Sequence, residues 1–299
     1  MKVTKALCVA VLLAAVGCGD DTTGITTGGT GGTGGTAGTG GTGGTGGTPD
    51  AAPAGPVQFR LGNLIADLPE ADLCLAPHGT TNFGQPLLRA AGYTRGVKYR
   101  EVSAYNQTQS GTYDARVVAA GSTNCSTALL GLPDQTNLAP MLAGNTYTIA
   151  MMGRVAAGAP EPFQVHIYQD ETNQLSGKVN LRFIHAAVGV PAVDVGIGMS
   201  GVIMTVFTNV LFAEVGKGTG VDNLGYAQVA GISSGSLIMR TTGTTTAIFA
   251  ASGVTLTAGT IVTVFAIGDL GGSPAPLQFL VCIDGTRGSG PLTECTAVP

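Results

Sequence analysis

Tryptophan is absent from the 299 residues, aromatics make up only 5 % of them, and charged side chains only 11 %. No stripe or cluster of Lys and Arg is present to neutralise phosphates or anionic headgroups, so nucleic acid is not an expected partner. Glu, Lys and Gln, the polar helix formers, are scarce, and a helical bundle is disfavoured with them. No apolar stretch reaches the eighteen or more residues of a membrane-spanning helix. The cysteines show neither CxxC nor paired Cys/His spacing, which removes a structural zinc site. Gly, Thr, Val and Ala dominate instead, the composition of short β-strands joined by many turns.

The amino terminus carries an address. Lys2 and Lys5 precede an apolar run from Ala6 to Gly17 that ends in small residues, which is the pattern of a secretory signal over residues 1–17. The Ala15-Val16-Gly17-Cys18 sequence resembles a bacterial lipobox, with Ala15 where Leu is commoner. That resemblance implies cleavage before Cys18 and acylation of Cys18, hence an exported, lipid-anchored protein of the cell envelope. Gly19 rather than Asp after the lipidated Cys points by analogy to the outer membrane or cell surface. Lys2 and Lys5 leave with the signal, so 12 basic face 18 acidic side chains, a net charge near −6.

Residues 18–56 read as a linker. From Gly28 to Thr48 run seven triplets, six of them Gly-Gly-Thr and one Ala37-Gly38-Thr39. Gly at two of three places without Pro cannot build a collagen helix, so disorder is expected. Flexible-coil scaling over residues 19–56 gives an r.m.s. span of about 30–35 Å.

The remainder is written twice. Val57 to Leu75 aligns without a gap on Val179 to Ile197, with Val57/Val179, Arg60/Arg182, Pro69/Pro191 and Asp72/Asp194 identical. Later blocks keep the same order: Arg116 with Arg240, Thr148 with Thr263, Gly153 with Gly268, Asp170 with Asp284. Two repeats follow, 57–175 and 178–285, with 286–299 as a C-terminal tail. Within each, apolar residues alternate: Val179, Leu181 and Phe183 on one face, Asn180 and Arg182 on the other. Strands with one buried face are expected, including Tyr99 to Val102, Thr112 to Val118, Tyr147 to Met151 and Phe163 to Tyr168. The fold class is therefore all-β: two tandem antiparallel β-sandwich domains of immunoglobulin-like architecture, with a small closed barrel as the alternative.

Cys8 leaves with the signal and Cys18 goes to lipid. Cys74, Cys125, Cys282 and Cys295 remain, an even number in an oxidising compartment. Of three possible pairings, Cys74 with Cys125 and Cys282 with Cys295 keep each bridge within one repeat.

Leu181-Arg-Phe-Ile-His-Ala-Ala187, then Pro191-Ala-Val-Asp-Val195, with a Gly-Thr-Ile-Val-Thr-Val strand at 259–264, resembles the bacterial domain of unknown function 4397. The first copy departs from it, with Asn63 for the motif His and Leu64-Ile65 for Ala-Ala. The two copies cover about three quarters of the chain. The leash behind a lipobox also resembles lipoproteins of myxobacteria. The family implies an exported, surface-attached protein and brings no activity, ligand or catalytic residue.

Catalytic patterns are weak. Gly231-Ile-Ser-Ser-Gly235 matches a nucleophile elbow around Ser233, but a strand sequence follows where a helix is needed, and a Ser-rich turn is expected instead. Gly196-Ile-Gly-Met-Ser-Gly201 matches a dinucleotide fingerprint, again followed by β-branched residues, and reads as a strand end and turn. His185 shares parity with Phe183, which makes it a core histidine before a partner for Asp194. Arg60, Pro69, Asp72, Arg182, His185, Pro191 and Asp194 are thus expected to be structural, with Asp72 and Asp194 bonded to backbone amides or to the arginines. No catalytic residue, metal or cofactor is expected. The functional expectation is a non-enzymatic binding or adhesion protein for an envelope protein or carbohydrate, with Tyr93, Tyr105 and Tyr226 as exposed contact aromatics. A structural envelope component and a surface hydrolase are the alternatives.

Overall fold

The computed structural model describes residues 55–199, 201–284 and 292–299. The signal segment, Cys18 and the Gly-Gly-Thr linker lie outside the described residues. The first repeat contains β1 (Pro56–Asn63), β2 (Ala71–Pro77), β3 (Glu101–Val102), β4 (Asn106–Gln109), β5 (Tyr113–Ala119), β6 (Thr146–Met152) and β7 (Gln164–Asp170), with a single-turn helix α1 (Leu87–Ala90) after β2. The second contains β8 (Val179–His185), β9 (Val193–Met199), β10 (Val202–Val210), β11 (Tyr226–Val229), β12 (Ile232–Thr241), β13 (Ala247–Leu256), β14 (Ile261–Ile267), β15 (Gln278–Asp284) and β16 (Cys295–Val298). The chain is nearly all β, and each repeat is a sandwich.

Both copies share a central set of pairings, to which the second adds β10, β13 and β16. In the first, β1 lies between β4 and β6 and β6 pairs with β7, while β2 and β5 form the opposing layer. In the second, the order is β11-β8-β14-β15-β16, opposed by β10-β9-β12-β13. Two ladders are parallel, β1 with β6 and β8 with β14, and they keep equivalent register: Arg60 stands beside Thr148 as Arg182 stands beside Thr263. Each sandwich has its own core. Val57, Phe59 and Leu61 meet Leu73, Val117, Ile149 and Met151 in the first. Val179, Leu181 and Phe183 meet Val195, Leu237, Val264 and Phe279 in the second.

Alternation suggests that the other face of β1 and β8 is wet, and here the structure differs. All seven residues of β6, β8 and β14 are buried. The reason is a third core between the repeats, where Leu64, Val102, Ala150, Met152 and Tyr168 meet Ile184, Phe265, Ile267 and Leu280. The two large sheets therefore stack on each other, giving four layers. Pro49–Pro299 forms one compact unit.

The end of the expected tail is also structured. β16 pairs antiparallel with β15, and Thr293 donates its amide to the Val102 carbonyl of the first repeat. The disulfides are Cys74–Cys125, within the first repeat, and Cys282–Cys295, which ties β15 of the second to β16 beyond the expected repeat end at 285.

Candidate functional site

The chemistry-bearing side chains gather between the two stacked sheets. Arg60 and Arg182 occupy equivalent strand positions facing outward from their own sandwiches, and the other repeat covers them completely. Arg182 Nη2 lies 2.5 Å from Asp170 Oδ1, and Arg60 Nη2 lies 2.6 Å from Asp284 Oδ1. Each arginine thus pairs with the carboxylate of the opposite repeat. Each also reaches its second carboxylate, Arg60 Nε to Asp170 at 3.6 Å and Arg182 Nη2 to Asp284 at 4.0 Å. All four side chains are fully buried.

Threonine and tyrosine complete the set in duplicate. Arg60 Nε donates to Thr148 Oγ1 at 2.8 Å, and Arg182 Nε to Thr263 Oγ1 at 3.1 Å. Thr148 Oγ1 in turn donates to Asp170, and Thr263 Oγ1 to Asp284. Tyr105 Oη donates to Asp170 at 2.8 Å and Tyr226 Oη to Asp284 at 3.2 Å. The guanidinium of Arg60 lies over the Tyr105 ring and that of Arg182 over Tyr226, at 5.1 and 4.7 Å.

The duplication is imperfect. Arg182 Nη1 donates to the Gln169 carbonyl at 2.8 Å, whereas Arg60 Nη1 has no protein partner. The Arg60–Asp284 contact is close yet lies off the hydrogen-bond direction, so we count it as an ion pair alone. Burial alone would raise the Asp170 carboxyl, but Arg182 and then Arg60 outweigh it and hold it below the ordinary carboxylate range. Burial likewise opposes charge on the arginines, and the facing carboxylates and tyrosines override it and raise both guanidinium values. Removal from water pushes the Tyr105 and Tyr226 hydroxyls upward, leaving them neutral donors.

Tyr105 and Tyr226 are therefore interior groups and not a contact surface. Tyr226 is only 3 % exposed, and Tyr93 is half-buried against the first core. By sequence they read as loop aromatics, whereas Tyr226 opens β11 and Tyr105 directly precedes β4. The signal that finds them is their position next to Arg60 and Arg182 in register.

The remaining motif positions organise backbone. His185 Nδ1 accepts the amide of Ala187 at 3.3 Å, so the proton sits on Nε2, which donates to the Pro191 carbonyl at 3.3 Å. Asn63 does the same in the first repeat: Oδ1 accepts from Ile65 N, and Nδ2 donates to the carbonyls of Pro69 and Val97. Burial pushes the His185 imidazole below its usual range, consistent with a neutral ring. Asp194 is not its partner. Its carboxylate accepts the amides of Asn209 and Gly243, at 2.8 and 3.0 Å. Asp72 accepts those of Leu73, Leu88 and Arg89. Each aspartate thus fastens the segment inserted after the second strand of its repeat. Burial raises Asp72 despite these bonds, while the amide donors outweigh desolvation and lower Asp194.

Ser233 sits in β12, a strand and not the expected turn, and its carbonyl accepts from Thr255 Oγ1. Gly196 ends within β9, before the turn into β10. Among the described residues no group of three or more His, Cys, Asp or Glu is placed to hold a metal ion. Also among them, no helix is long and apolar enough to cross a membrane. A cleft of about 530 Å³ opens where β7 meets the segment before β11, lined by Tyr168, Gln169, Glu214, Lys217, Asp222 and Leu224. Tyr168 Oη donates to the Ala213 carbonyl at its wall, at 2.8 Å. Both repeats contribute to this cleft.

No curated protein matches the chain. A family model does match, over residues 57–196, which take in the whole first sandwich and the strands β8 and β9 up to Gly196. That span holds both Arg60 and Arg182, both Pro-Asp turns, Asn63 and His185. The model that matches there is that of DUF4397, a domain of unknown function.

Proposed function

We propose that the protein is a lipid-anchored envelope protein that presents one rigid, two-repeat β-body for non-enzymatic binding or adhesion. The address rests on residues 1–18 and the leash behind them. The observation that carries the rest is the cross-paired cluster of Arg60, Asp284, Arg182 and Asp170. It uses two buried arginines and two buried aspartates in joining the repeats, and leaves a cleft between them whose rim is Glu214, Lys217 and Asp222. Preorganisation of this kind suits recognition, since little conformational freedom is lost on contact. Ser233, His185 and Asp194 serve backbone roles in three separate places, which supports the non-enzymatic reading.

The test is retention of envelope proteins and glycans by the mature chain. Binding that is lost in the rim variants Glu214→Lys and Asp222→Lys, both surface changes, supports the reading. Equal retention by both variants, or serine-reactive labelling that Ser233→Ala abolishes, overturns it. The anchor is tested separately by detergent partition and intact mass, with Cys18→Ser as the soluble control.

A further inference from the structure

Repeat two departs most from repeat one at the β9–β10 hairpin. After β2 the first repeat continues through a polar loop into α1; after β9 the second forms an edge strand instead. From Val195 to Ala213 the sequence holds no charged residue. Met199, Val202, Ile203 and Met204 are 40, 71, 42 and 48 % exposed at the end of this hairpin. Met199 and Val202 are paired across it, as are Ile203 with Gly198 and Met204 with Ile197. Successive strand residues point to opposite faces, so Val202 and Met204 lie on one face and Ile203 on the other.

We propose that this hairpin end inserts into the lipid surface to which the chain is tethered. A second copy pairing along the β10 edge would satisfy backbone groups but leave both apolar faces in water. A bilayer interface covers both faces at once. Among the described residues no strand pairs with the outer edge of β10, where Thr208 alone donates its amide, to the Lys217 carbonyl; the edge near Val202 and Met204 must stay within reach of water or headgroups, which limits insertion to the interfacial zone. The inference rests on the anchor reading in one respect: a leash of about 30–35 Å r.m.s. span keeps the membrane within reach of this hairpin. Attraction of the apolar type requires no anionic lipid, in keeping with a chain of net negative charge.

The mature chain with Cys18→Ser removes the acyl anchor, so vesicle binding then reports the hairpin alone. Because the chain has no Trp, Val202→Trp in that background supplies a single reporter. With phosphatidylcholine vesicles its emission shifts to the blue and is quenched by brominated acyl chains, equally at about 0.05 and 0.5 M salt. Ile203→Asp lowers the vesicle partition at least tenfold, while Thr208→Asp, exposed further along the same strand, leaves it within twofold. An unshifted reporter in a folded chain overturns the proposal, as does a shift that depends on protein concentration without vesicles, which would mean pairing between copies. Absence of lipid on wild-type Cys18 would sink the anchor reading and leave this result standing.

Discussion

The two repeats share a fold and a register yet keep different things constant on their surfaces and at their contact. At the contact, Arg60/Arg182, Thr148/Thr263, Asp170/Asp284 and Tyr105/Tyr226 are the same in both copies, and each set reaches into the other. At the surface, β15 is covered by β16 while among the described residues no strand lies beyond β7, and α1 in one repeat stands where β10 stands in the other. A contact between two like bodies about a pseudo-twofold needs each half of a pair in both copies. Identity between the repeats therefore marks the polar cluster at their contact, while the apolar part of that contact diverges, with Leu64 matched by Ala186 and Ala150 by Phe265. Gly153 and Gly268 are shared for a reason internal to each repeat: both have positive φ, and a Cβ would lie 2.3 and 2.1 Å from the carbonyls of Pro162 and Pro276. Their successors Arg154 and Asp269 then pair across the repeats at 3.1 Å.

Removing one charge from the cluster is the severest way to break this equivalence. Asp170→Ala leaves Arg182 buried without its carboxylate and is expected to cost about 3–5 kcal/mol in urea unfolding. Asp284→Ala should cost less, because Arg60 is already less well bonded than Arg182. Equal losses would mean that the imperfection in the duplicate set has no energetic weight. The double change Asp170→Leu with Arg182→Met should be milder than Asp170→Ala, since no charge is then left buried alone. Acid sensitivity has a definite sign. The folded Asp170 carboxyl lies below its unfolded value of about 3.9, so its contribution is intact above that pH and is lost as pH falls through the folded value.

Disulfide loss comes next in size and sharpens the difference in how each repeat is closed. Cys74–Cys125 spans 51 residues and ties β2 to the loop after β5, whereas Cys282–Cys295 spans 13 and ties β16 to β15. Chain-entropy reasoning gives about 4 kcal/mol for the longer loop and about 3 for the shorter. Cys74→Ala with Cys125→Ala should therefore lower the unfolding midpoint more than the second pair of changes. Cys282→Ala with Cys295→Ala should in addition speed amide exchange in 295–298, because β16 reaches the sheet only through β15.

Much of this fold is legible in the sequence, since the repeat fixes which strands correspond and alternation finds β5, β6 and β7 to within a residue or two. Both disulfides agree with the expected pairing, while the family match over 57–196 runs across the boundary between the repeats. The stacking of the two large sheets is not legible, for a physical reason. Val-Asn-Leu-Arg-Phe-Ile-His at 179–185 alternates like a half-wet strand, and an arginine on the outer face normally marks solvent. Only the recurrence of Arg, Thr and Asp together, at matched positions in both copies, hints that the polar face has a partner. Tyr105 and Tyr226 read as loop aromatics, because nothing in their own neighbourhood shows that they stand beside the buried arginines. The hairpin carrying Val202 and Ile203 has no counterpart in the first copy, so the repeat offers no guide to it.

The mildest expected effect separates the copies by a proton. Asn63 and His185 make the same clasp, one by an amide and one by a neutral imidazole. Burial holds the folded His185 below its unfolded value of about 6.5, so the unfolded chain takes up the proton first, and stability falls as pH drops below about 6.5 toward the folded value. His185→Asn keeps the clasp and removes the titration. At pH 7 it should change stability by about 1 kcal/mol or less, mostly through lost packing on the rings of Phe183 and Phe212. Between pH 7 and 5 the variant should lose less stability than the parent. His166, also lowered by burial, is common to both proteins and cancels in the difference. Asn63→His should impose the opposite change on the first repeat, steepening the loss over the same interval. Parallel stability profiles for parent and His185→Asn would show that the imidazole is solvated in the folded chain, and the equivalence of the two clasps would fail.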